Sequence, residues 1–250
     1  MNRQPRGRTG ARRSAPDSPQ LVPAPHFRSC LRLGDSSWWV WAATEINAKR
    51  TALVIIDPHV DYRSPESVVW DLVGEQVGKN GVVEHLVVLK EAAERAGIPV
   101  FYSPLYFDHE YGSWRHLNKI GRIMFERRMF DVSGKGAEFS PALAPGSETI
   151  VLSPHKALSG FWANDIEIQL RQRDVQTIIL AGMAANLCAE SHLRDAAENG
   201  FDVIVAKDAT AGLGEASTEA AYLNFAFIAS EVATTAEVVR ALEAGARLHA

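Results

Sequence analysis

The chain has 250 residues, 46% hydrophobic and 22% charged, with a formal net charge of -4 and only two cysteines, Cys30 and Cys188. That length fills one sizeable α/β domain, and the slight acidity gives no electrostatic reason to expect nucleic acid or an anionic membrane as a partner. Two cysteines make no disulfide framework, no apolar run approaches the ~20 residues that span a bilayer, and the basic start lacks the apolar segment of a secretory signal, so a cytoplasmic protein acting on a small molecule is expected.

Residues 1–45 stand apart, because Arg3, Arg6, Arg8, Arg12 and Arg13 sit among Pro, Ser and Gly and offer little to bury. They are expected to form a disordered basic tail, leaving 46–250 as the folded domain. Trp38, Trp39 and Trp41 are costly to leave in water and are expected to pack against the domain or a neighbouring subunit. From residue 51, short apolar runs alternate with amphipathic segments, the pattern of βαβ units. Strands are predicted at Ala52–Ile56, Pro99–Ser103, Thr149–Leu152, Thr177–Ala181, Asp202–Ala206 and Glu231–Thr234.

Between the first two strands, Val82, Leu86, Leu89, Ala93 and Ala96 recur at helical spacing, and Gly97 stops the run. Residues 104–148 lack such periodicity but are rich in aromatics, which suits an excursion over the sheet and a wall for a pocket. Asn164 followed by Glu167 starts a helix in the manner of a capping box, and Leu193, Ala196 and Ala197 mark another that Gly200 ends. The fold expected is a three-layer α-β-α domain with a six-stranded, mostly parallel, Rossmann-like sheet.

Ligands of such sheets collect beyond the carboxyl ends of the strands, which singles out Asp57 after the first strand, Lys156 after the third and Cys188 after the fourth. A cysteine at a helix N-terminus beside an ammonium has a route to the thiolate, and a neighbouring carboxylate can take the thiol proton and return it to a leaving amine. Each residue also has a plain alternative: Cys188 as a small buried hydrophobe, Lys156 as a solvated loop residue, Asp57 before Pro58 as a turn starter.

Four segments carry a resemblance. Thr51-Ala-Leu-Val-Ile-Ile-Asp-Pro-His-Val-Asp-Tyr62, Lys156-Ala-Leu-Ser-Gly-Phe-Trp162 with Asn164-Asp165, Gly182-Met-Ala-Ala-Asn-Leu-Cys188 and Lys207-Asp208-Ala-Thr-Ala211 resemble, in order, the motifs of isochorismatase-like cysteine hydrolases. The resemblance covers roughly residues 48–245. It implies a catalytic triad of Asp57, Lys156 and Cys188, a cis peptide at Met183–Ala184, and an oxyanion hole from the amides of Ala184 and Cys188. It further implies an amidase or ureidohydrolase working through a Cys188 thioester, assembled as a dimer or tetramer. An isochorismatase-type vinyl ether hydrolase that leaves Cys188 unused and a non-catalytic member of the fold are the alternatives.

Tyr62, Phe107, Trp114, Phe161, Trp162 and Asn186 are the expected substrate-binding residues. His59-Val60 stands where many members carry Gln-Asn, and Ala185 where several carry Thr, so the substrate does not carry over. Nicotinamidases of the superfamily bind a metal through Asp-x-His, whereas Asp108-His109 has the wrong spacing and His116 lies apart, so neither metal nor other cofactor is expected. His155, next to Lys156 in an extended segment, points to the opposite side from it.

Overall fold

A computed structural model describes residues 46–115 and 118–244, all within one unit, Ala43–Ala250. The tail at 1–45 with Trp38, Trp39, Trp41 and Cys30, and His116, lie outside the described residues. Among the described residues, six strands form one sheet: β1 (Thr51–Ile56), β2 (Val100–Ser103), β3 (Ile150–Val151), β4 (Thr177–Met183), β5 (Asp202–Ala211) and β6 (Glu231–Ala233). Their order is β3-β2-β1-β4-β5-β6, and every neighbouring pair is parallel. The sheet is thus wholly rather than mostly parallel. Every residue of β1 and of β4 is buried, which explains why those strands read as unbroken apolar runs.

Among the described residues, seven α-helices accompany the strands: α1 (Trp70–Asn80), α2 (Val82–Arg95), α3 (Lys119–Glu126), α4 (Ile166–Arg171), α5 (Glu190–Glu198), α6 (Glu215–Ile228) and α7 (Thr235–Ala244). Five of them pack in two groups, α2 with α1, α7 and the sheet, and α5 with α6 and the sheet, as a three-layer domain requires. Leu86, Leu89 and Ala93 of α2 are buried at the spacing that predicted the helix, which stops before Gly97 at φ +69. Truncating a wholly buried Leu such as Leu53 or Leu86 costs about 2–5 kcal/mol.

The excursion between β2 and β3 is tied back to the turn after β1. The buried carboxylate of Asp61 accepts the Phe130 N–H at 2.6 Å. His59 pairs with Phe139 across an isolated antiparallel bridge and stacks on its ring at 5.4 Å. These contacts hold the excursion over the carboxyl edge of the sheet, where the site lies.

Candidate active site

The chain runs β1, β2, β3 outward in one direction and then returns β4 to the other flank of β1. The carboxyl ends of β1 and β4 therefore border the switch point of the sheet, the crevice in which open α/β sheets bind ligands. Asp57 follows β1 and Cys188 follows β4, so topology alone delivers both to the same place.

Asp57 has φ +49, a left-handed conformation unusual for a residue with a side chain. Its backbone is clamped on both sides: its N–H donates to Ser103 O at 3.0 Å, and its carbonyl accepts from His59 N–H at 2.8 Å and from Arg63 Nη1 at 2.6 Å. Arg63 is itself buried, and its remaining Nε and Nη2 have no protein acceptor. Burial lowers its pKa to about 10, still far above neutrality, so it stands as a cation behind the Asp57 backbone.

At the end of β4, Gly182 has φ +111, and a Cβ there would lie 2.2 Å from Ile56 O. Only glycine lets β4 lie flush on β1 at the rung that precedes both Asp57 and the cysteine turn. The Met183–Ala184 peptide is cis. A single π-helical turn, Ala185–Ala189, then carries Cys188 into α5. Such turns are frequent at functional sites.

Cys188 is 1% exposed. Burial first, then the charge and hydrogen bonding of Asp57, push the thiol pKa well up, while the backbone amides of Ala184 and Cys188 act on the sulfur in the opposite sense. These surroundings favour the thiol over the thiolate that a helix terminus and an ammonium would stabilise. An anion buried beside a carboxylate costs more than two amides return, and the expected ammonium is not there. The second Asp57 oxygen, Oδ2, is buried without a full hydrogen bond and is the acceptor left for the thiol proton.

The cation is the main correction to the sequence reading. His155 Nε2 lies 3.1 Å from Asp57 Oδ1, both side chains having no exposure. Lys156 extends the other way, its ammonium bonded to Ser113 Oγ and beside Asp108. The two neighbours point to opposite sides as extended backbone requires. The bridge that pairs His155 with Leu105, and the His155 N–H to Pro104 O bond at 2.9 Å, set the histidine inward.

A second buried histidine locks this arrangement. His192, one helical turn beyond Cys188, has Nδ1 2.7 Å from Cys188 O and Nε2 2.9 Å from the Gly160 N–H, with Ser103 Oγ at 3.1 Å. A carbonyl only accepts and an amide N–H only donates, so Nδ1 carries the single proton and the ring is neutral. Burial, and next the charge of His155, lower its pKa to about 3. The ring staples the loop after His155 to the cysteine turn, and a Cβ at Gly160 would lie 2.9 Å from its Nε2.

The remaining expected residues scatter. Tyr62 is buried, and its hydroxyl feels the charges of both Cys188 and Asp57, so it borders the pair. Phe161 is half-buried, its ring 6.3 Å from that of His192. Asn186 accepts the Leu213 N–H at 3.2 Å, bracing the loop after β5, and Trp114 is half-buried against the core. Phe107 is a core residue stacked on Tyr111 at 4.6 Å, and Trp162 is 83% exposed. Sequence reasoning passed over Arg63, Ser103 and His192; the last was signalled by its spacing of four from Cys188 on a predicted helix.

Comparison with known proteins agrees with this architecture. Residues 51–237 match the isochorismatase domain. The ureidoacrylate amidohydrolase RutB of Acinetobacter baylyi is 31% identical over 167 residues, 61% of this chain and 67% of the relative. RutB of Methylorubrum extorquens is 31% identical over 177 residues, 66% and 71% of the two chains. Among solved structures, a cysteine hydrolase from Pseudomonas syringae pv. phaseolicola superposes with a TM-score of 0.68 at 26% identity, covering 81% of this chain and 96% of that one. N-carbamoylsarcosine amidase from Thermoplasma acidophilum shares the fold, with a TM-score of 0.60 at 22% identity over 74% and 96%. With its domain match running from β1 into α7, the chain belongs to the isochorismatase family.

Proposed function

We propose that the chain is a cysteine amidohydrolase that cleaves the C–N bond of a small amide, carbamoyl or ureido compound through a covalent Cys188 intermediate. The observation that carries this reading is a buried thiol beside an Asp57 carboxylate whose Oδ2 has no other polar partner, at the switch point of the sheet. The names of its relatives, ureidoacrylate amidohydrolase among them, support the bond type.

The steps follow from those atoms. As the sulfur attacks the carbonyl carbon, its proton passes to Asp57, so the buried pair never holds two anions. The carbonyl oxygen becomes an oxyanion, for which the amides of Ala184 and Cys188, already aimed at the sulfur, are the available donors. Collapse breaks the C–N bond, and Asp57 returns the proton to the departing amine. Water then attacks the acyl- or carbamoyl-sulfur bond, giving its proton to Asp57, which protonates the released sulfur.

Among the described residues no helix is long and apolar enough to cross a membrane. A cytoplasmic homo-oligomer is part of the same proposal, and the exposed Leu223 and Phe227 of α6 supply apolar surface for a second copy. The test is ammonia release from a panel of ureido acids, carbamoyl amino acids and simple amides. Turnover of at least one class, absent in Cys188→Ala, is the expected result; turnover that survives the substitution refutes the covalent route.

A further inference from the structure

We propose that His155 is the positioning cation of the Asp57–Cys188 pair, holding the carboxylate and balancing the sulfur's charge during turnover, in the role that the family resemblance gave to Lys156. The inference rests on the proposed cysteine hydrolase reading and names the third member of its site.

The geometry makes the case through proton count. His155 Nδ1 lies 2.6 Å from Ala157 O and Nε2 lies 3.1 Å from Asp57 Oδ1. A carbonyl has no proton to give, and an ionised carboxylate has none either, so both ring nitrogens face acceptors. A neutral imidazole has one N–H and leaves one of these buried contacts as a repulsion between lone pairs. The imidazolium satisfies both.

Other charges near the ring do not replace it. His192 meets it edge-on, with centroids 5.1 Å apart, and is neutral by the bonds described above. Arg63 bonds the carbonyl oxygens of Asp57 and His59, behind the carboxylate rather than at its oxygens. Lys156 is engaged with Ser113. When the thiol proton moves to Asp57, the thiolate is therefore formed next to an imidazolium already in place, and the group of sulfur, carboxyl and imidazole keeps one anion and one cation throughout. Burial alone pulls the His155 pKa down, but the charge and hydrogen bond of Asp57, with the Ala157 and Ser103 carbonyls, carry it above the ordinary 6.5.

A histidine in this role makes the site titratable where a lysine would not. A raised pKa means that the cation is present below its folded value and is lost as pH rises through it, so kcat/KM falls on the alkaline side. His155→Gln, which keeps one donor but no charge, is expected to lose about 10–100-fold in kcat/KM, the worth of a charged hydrogen bond. His155→Lys is expected to recover part of that loss and to shift the alkaline limb upward, while Lys156→Met keeps the rate and pH profile of the parent.

The same residue is read without turnover by NMR of the His155 ring Cε1–H in the full chain. Its midpoint is expected above 6.5 in the parent and lower in Asp57→Asn. A parent inactive on the whole substrate panel overturns the hydrolase reading and leaves the ring titration to judge His155. Full activity in His155→Gln, loss of activity in Lys156→Met, or a ring midpoint below 6.5 in the parent overturns the role of His155.

Discussion

Gly182→Ala tests how the sheet builds the site, because the added methyl has nowhere to go. At φ +111 the backbone is outside the basins open to L-residues, a strain of about 1–3 kcal/mol. The new Cβ would lie 2.2 Å from Ile56 O and 2.6 Å from Ile56 N, so β4 must move away from β1, an overpacking cost of about 1–3 kcal/mol more. Together these amount to about 4 kcal/mol, which for a domain of this size lowers the melting temperature by about 8–16 °C. Gly200→Ala is the control: φ is +81 but no atom lies within 4 Å of its Cβ, so only backbone strain of about 1 kcal/mol is expected. Thermal and urea unfolding followed by circular dichroism measure both. Equal melting temperatures for the two variants would refute the claim that close approach of β4 to β1 shapes the turn carrying Cys188.

Acid sensitivity follows from two neutral buried histidines. His59 has its pKa lowered to about 4 and His192 to about 3, each chiefly by burial. Between pH 6.5 and those values the unfolded chain takes up protons that the folded one refuses, so stability falls as pH drops, by about 3 kcal/mol for His59 alone. His155, with its raised value, works in the opposite sense. Urea midpoints measured from pH 7 to 4 should decline, and His59→Gln, which keeps an acceptor for the Leu105 N–H, should flatten the slope. His192→Ala strands the Gly160 N–H and the Cys188 carbonyl; a loss of about 2–4 kcal/mol in urea unfolding is expected, together with loss of turnover. Trp162→Ser, at an 83% exposed position, should change stability by less than about 0.5 kcal/mol.

The parallel sheet is legible because β1 and β4 are buried on both faces and consist mostly of Val, Ile, Leu and Ala. Strand ends are less so. β5 runs on to Ala211, beyond the expected Ala206, because Thr210 and Ala211 pair with Gly182 and Met183 across a bulge, an alignment no local pattern announces. Helix α6 was missed since its Ala, Tyr, Leu and Phe residues leave no clear polar face, with Phe227 exposed and Phe225 buried. Asp57 and Cys188 stand out as candidates by their places after β1 and β4. Which of His155 and Lys156 turns inward is not legible in this way, because it is set by pairing with Leu105, fifty residues away in the chain.

The most direct test of the account is to catch the covalent intermediate. The protein is mixed with an amide or ureido compound that it turns over, quenched in acid within the first turnovers, and digested for peptide mass spectrometry. An added acyl or carbamoyl group on the peptide containing Cys188, absent from Cys188→Ala and formed far more slowly in Asp57→Asn, is the expected result. Rapid product release with Cys188 unmodified at every time point, and equal turnover in Cys188→Ala, would contradict it.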